Sequence, residues 1–118
     1  MAIVKTARVL QASATNAAGA TTTGSAIDLT TAFGLGGVAR ITNGATGPTI
    51  GCTFTVEVSN DSVTWRKLFS VTASVAANAV KDIPFSISEE FMYARAIFSG
   101  NTGQSVTVEC VGHELTSI

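Results

Sequence analysis

"CTFTVEVSNDSVTW", residues Cys52 to Trp65, alternates apolar and polar side chains until it reaches Ser59-Asn60-Asp61-Ser62. Cys52, Phe54, Val56 and Val58 fall on one face, and Thr53, Thr55, Glu57 and Ser59 on the other. A period of two describes a half-buried antiparallel strand. Asn, Asp and Ser favour turns through local side-chain hydrogen bonds, so the stretch reads as strand, tight turn, strand. The glycosylation pattern Asn60-Asp61-Ser62 is better read as that turn. A second alternation sets Val106, Val108 and Cys110 against Thr107 and Glu109.

Working outward, β-branched and aromatic runs broken by turn residues predict strands near 3–12, 25–29, 37–43, 50–59, 64–72, 79–85, 91–99 and 104–115. About eight short strands imply an all-β chain, an antiparallel β-sandwich of jelly-roll type. No internal repeat or linker divides residues 1–118, which read as a single domain. "SATNAAGATTTG", 13–24, is small and polar and is expected to form a flexible loop or arm, and "TAFGLGG", 31–37, sets Phe33 and Leu35 among glycines. Helix is scarce, with one candidate turn at Ser88-Glu89-Glu90. Pro84 lacks a ladder donor and belongs at a sheet edge or strand end. Lys67 interrupts the parity of Trp65, Phe69 and Val71, which predicts a bulge or an edge strand.

Composition limits the function classes. Charged residues make up 13% of the 118, against about 25% in a typical soluble domain, and the net charge is −1. Such a surface resists association weakly and suits a protein that rests against other proteins. Seven scattered Lys and Arg argue against nucleic acid, which needs clustered cations. No apolar run approaches the roughly 20 residues of a spanning helix, which argues against a membrane. "MAIVKTARVLQASA" breaks its apolar run with Lys5, Arg8 and Gln11 and does not read as a signal peptide, so synthesis and assembly in the cytoplasm are expected.

Candidate chemistry is sparse. Cys52 and Cys110 lie on apolar strand faces and are expected to be buried thiols in preference to a disulfide. Two cysteines and one histidine supply too few ligands for a metal. His113 has the parity of an outer face, and no serine stands in a nucleophile elbow. The carboxylates are dispersed, and Gly34, Gly36 and Gly37 do not open a helix after a strand as a phosphate cradle requires. No catalytic residue, metal or cofactor is expected. Trp65 and Tyr93 are read as core-edge aromatics, with a sugar-stacking platform as the alternative.

"CTFTVEVSNDSVTW" followed by "FMYARAIFSGNTGQSVTVECVGHEL" resembles small β-sandwich virion proteins of tailed bacteriophages, the capsid decoration (cement) and accessory structural proteins. "ITNGATGPTIG", 41–51, belongs to the same likeness, which covers roughly residues 36–115. Similar chains often carry Gly where this one has Ser62. The resemblance implies a non-enzymatic homo-oligomer, dimer or trimer, bound to the major capsid protein on the outside of a phage head. A tail adaptor or fibre component is the nearest variant, and a carbohydrate-binding module the rival of another class. Thr21, Thr22 and Thr23 of the arm and Phe33 and Leu35 of an apolar tip are the candidate partner contacts.

Overall fold

The alternation at 52–65 folds as strand, turn and strand. The computed structural model describes residues 4–88 and 91–117. In it β5 (Thr53–Ser59) pairs antiparallel with β6 (Arg66–Thr72). Phe54, Val56 and Val58 point inward and are buried, while Thr53, Thr55 and Glu57 remain partly exposed. The turn is held by its own side chains. Ser59 Oγ accepts from the N–H groups of Asp61 and Ser62, and Asp61 Oδ1 accepts from those of Val63 and Thr64.

The remaining strands are β1 (Val4–Asn16), β2 (Thr22–Thr23), β3 (Ile27–Asp28), β4 (Gly34–Asn43), β7 (Val80–Ser88), β8 (Tyr93–Ser99) and β9 (Val106–Ser117). They form two antiparallel sheets, a first of order β1-β9-β4-β7 and a second of order β2-β8-β5-β6, with β3 also on β8. Pairing is nested: β1 joins β9, β2 joins β8, β4 joins β7 and β5 joins β6. The chain is therefore one long antiparallel ribbon wrapped into two layers, which is the jelly-roll arrangement. Among the described residues no helix is long and apolar enough to cross a membrane.

The core lies between the layers. Phe54 sits with ring centroids 5.2 Å from Phe98, 5.6 Å from Phe85 and 6.1 Å from Phe69. Phe85 comes from the first sheet and the other rings from the second, so the cluster joins the layers. Leu10, Ala39, Ile41, Val108 and Cys110 complete the inner face of the first sheet.

Several expectations change in detail. Residues 13–24 do not form one continuous loop. β1 runs through Asn16, β2 takes up Thr22–Thr23, and the connection is 17–21. The cause is a buried polar cluster. Asn16 Nδ2 donates to Asn101 Oδ1 and to the Ala20 carbonyl, Thr22 Oγ1 donates to Asn16 Oδ1, and Asn101 Nδ2 donates to the Asn16 and Gln104 carbonyls. The strand expected at 25–29 is the short β3. β2 and β3 lie on the same edge of β8, interrupted at 24–26, which raises the count to nine. The turn expected at Ser88-Glu89-Glu90 falls on Glu89 and Glu90, outside the described residues.

The bulge is present. Val56 pairs with Phe69 but Glu57 pairs with Lys67, so Leu68 is an extra residue. β6 is also an edge strand, and Pro84 lies on the other sheet's edge strand β7, opposite Val38.

Candidate functional site

Groups capable of chemistry are dispersed, and most are already engaged. Arg8 meets Glu114 at 2.6 Å, Arg40 meets Asp82 at 2.7 Å, and Arg95 meets Glu57 at 2.8 Å. Asp28 accepts from the backbone and hydroxyl of Thr30, which lowers its pKa. Among the described residues no group of three or more His, Cys, Asp and Glu side chains could hold a metal ion. Cys52 and Cys110 are buried free thiols. Burial pushes their pKa up to about 11 and about 12, so each is a poor source of the nucleophilic thiolate.

His113 takes the outer face of the first sheet, as its parity implied. Its ring lies over Gly36, where an added Cβ would stand 3.4 Å from the imidazole. Phe33, Ser86 and Leu115 complete a shallow groove of about 330 Å³ around it. The expected tip divides. Phe33 is 45% exposed at the groove rim, whereas Leu35 is 2% exposed and belongs to the core. Leu35 lies on the inward parity of β4 with Ala39 and Ile41, and this removes it from the candidate contacts. The threonines also separate. Thr21 is exposed in the connection, Thr22 is tied into the Asn16 cluster, and Thr23 is exposed on the edge strand β2.

Trp65 and Tyr93 are not core residues. On β8, Ala94, Ala96 and Phe98 are buried, which turns Tyr93, Arg95 and Ile97 outward. The Leu68 bulge turns Trp65 to the same outer face, away from the inward Phe69 and Val71. The Arg95 guanidinium stands 4.2 Å above the indole and is itself paired with Glu57. One face of Trp65 is thus taken by an intramolecular cation–π contact. Nearby, Val58, Asn60, Thr64, Arg66 and Phe91 line a notch of about 270 Å³ beside the turn. Ser59 and Asp61 also line it, but Ser59 Oγ and Asp61 Oδ1 are used by the turn.

The feature that sequence reasoning missed lies across the outer face of the first sheet. Val9 pairs with Val111, Val111 with Val38, and Val38 with Pro84, one residue from each strand. All four are solvent-exposed. The four are distant in sequence, and only the register aligns them.

No family model matches the sequence, and no curated protein matches it. Solved structures share the fold. A chain from the structure of infectious bursal disease virus, Gx strain, aligns over 98% of this protein and 33% of its own length, with TM-score 0.62 and 12% identity. The Gt strain gives TM-score 0.58 and 12% identity over 97% of this protein and 32% of that chain. This protein therefore spans about a third of the viral chains it matches. A chain from Bacillus endospore appendages, described as disulfide-linked pili, aligns over 100% of this protein and 93% of its own length, with TM-score 0.53 and 14% identity. At these identities the likeness is one of fold: a two-sheet sandwich that recurs in a virus and in a bacterial appendage.

Proposed function

We propose that the protein is a non-enzymatic structural subunit of a virion, a capsid decoration protein that binds the major capsid protein on the outside of a phage head and stabilises it. The observation that carries this reading is the set of large apolar side chains left exposed on a jelly roll with few charges, Phe33, Ile50, Val63, Val75 and Met92 among them, beside the row on the first sheet. Repeated apolar contacts of modest size add up when many copies bind one particle. The fold likeness to a virus chain supports the reading. The appendage pili are a less suitable precedent, because they are disulfide-linked and both cysteines here are buried free thiols.

Purified protein added to capsids assembled without it is expected to co-sediment with them and to raise the temperature at which they disrupt. No co-sedimentation at roughly 10 μM protein, a concentration that detects micromolar affinity, overturns the reading. Immunogold labelling distinguishes a head position from a tail adaptor or fibre position.

The outward placement of Trp65 and Tyr93 favours a second reading, glycan binding on the second sheet. A sugar stacked on the indole face that Arg95 covers has to displace that guanidinium. Tryptophan fluorescence should then change on titration with a glycan panel, and Trp65→Ala should lose binding while remaining folded. An unchanged spectrum across the panel removes this reading.

A further inference from the structure

We propose that the outer face of the first sheet is a homodimer interface, closed by a two-fold axis running along the Val9, Val111, Val38 and Pro84 row. The proposal rests on the reading of the protein as an adhesive structural subunit, and it names one partner of the adhesive surface as a second copy of this chain.

Val9, Val111 and Val38 are 56%, 49% and 42% exposed, and together with Pro84 they span the full width of the sheet. On one side of this row lie Ala7, His113, Gly36 and Ser86, with no lysine, arginine or carboxylate among them. On the other side lie Glu109, Arg40 and Asp82. Four strands about 4.8 Å apart and three outward rows about 6.8 Å apart mark out roughly 400 Å² of projected face. That is about a fifteenth of the 6084 Å² surface, and about half of the roughly 800 Å² per partner of a standard specific interface before side-chain relief is counted.

The occupant follows from the symmetry of the face. Rotation by a half turn about the valine row lays the row on its own copy and exchanges the two flanking rows. Strand order is kept, so Glu109 of one copy faces the partner's His113. Likewise Arg40 comes over the partner's Gly36 and the imidazole edge beside it, and Asp82 faces the partner's Ser86. No like charges oppose each other in these rows, which is the self-complementarity that an isologous contact demands. The other surfaces are less suitable. The second sheet's outer face is occupied by the Glu57, Arg95 and Trp65 contacts. Edge addition is impeded by register breaks in β1, the bulge in β6 and Pro84 in β7.

Light scattering and equilibrium sedimentation against concentration test the interface. The wild type is expected at twice 12.1 kDa in the micromolar range. Val38 faces its own copy on the axis, so Val38→Lys should weaken dimerisation by about 100-fold or more, and Val38→Glu likewise, because each buries like charges. An equimolar mixture of the two should recover dimers. If either variant fails to fold, as judged by circular dichroism, Glu109→Cys mixed with His113→Cys in otherwise native chains should yield an intermolecular disulfide. A wild type still monomeric at about 100 μM, or a dimer indifferent to Val38→Lys and to the cysteine pair, overturns the interface. A monomer that still binds capsids leaves the structural-subunit reading standing. A Val38-dependent dimer that ignores capsids leaves the interface standing and overturns that reading.

Discussion

Ser62 adopts φ of 62° in the turn between β5 and β6. A side chain in the left-handed region costs roughly 1–2 kcal/mol, a penalty that glycine avoids at some entropic cost in the unfolded chain. Among the described residues Ser62 bonds through its backbone N–H to Ser59 Oγ, which a glycine retains. Ser62→Gly is therefore expected to raise stability by about 0.5–1 kcal/mol, read from the urea midpoint at unchanged slope. The neighbouring carboxylate governs acid behaviour. The N–H groups of Thr64 and Val63, with the Ser59 hydroxyl, hold the Asp61 pKa at about 2, below its ordinary 3.8. Because the folded state prefers the ionised form, this contribution is complete above about pH 4 and is lost as pH falls toward 2. Asp28 and Asp82 are lowered as well, by Thr30 and Arg40. Asp61→Asn should thus make the acid limb of a stability-against-pH curve shallower without flattening it. An unchanged limb would show that the turn opens before the carboxylate is protonated.

At the scale of the element, the break between β2 and β3 connects the two layers. Gly24 donates its N–H to the Ala96 carbonyl, and the next residue, Ser25, donates to the Leu10 carbonyl of β1 in the opposite sheet. Leu10 lies where the β1 register shifts, so the irregularity in one strand supplies the acceptor for the break in the other. A Cβ on Gly24 would collide with the Leu10 carbonyl oxygen and press on that of Ala96. Gly24→Ala is expected to cost about 1–3 kcal/mol through overpacking, measured by denaturant titration. A neutral result would mean that the connection relaxes at no cost. This element was not legible in the sequence, because Thr, Ala, Ser and Gly of 13–24 carry no period and the Asn16–Asn101 contact spans 85 residues. β5 and the first half of β9 were legible because Phe54, Val56 and Val58 in one, and Val106, Val108 and Cys110 in the other, make an apolar face. The Leu68 bulge showed through Lys67, but its consequence, Trp65 turned outward, required the register of β6 on β5. The valine row was invisible for the same reason.

For the whole molecule, nested pairing means that the first strand closes on the last and no sheet is built from a contiguous part of the chain. β4, β5 and β7 alternate between layers, so separating the sheets would pull on the chain segments that join them. Such a topology favours one cooperative unit over two independent layers. The two cysteines report on this directly. Cys110 lies on β9 of the first sheet and Cys52 immediately before β5 of the second, both fully buried with pKa values pushed up by desolvation. Neither should react with a thiol reagent at pH 8 until the core opens. In subdenaturing urea the two should label at the same rate, and the opening free energy from that rate should match global unfolding. Mass spectrometry of the alkylated peptides separates the two sites. Labelling of one cysteine about tenfold faster than the other would show a layer opening alone, and the cooperative ribbon would be wrong. Equal rates would also bear on the proposed adhesion, since a subunit whose layers open only together presents its outer faces with fixed geometry, as the proposed repeated binding to a shell requires.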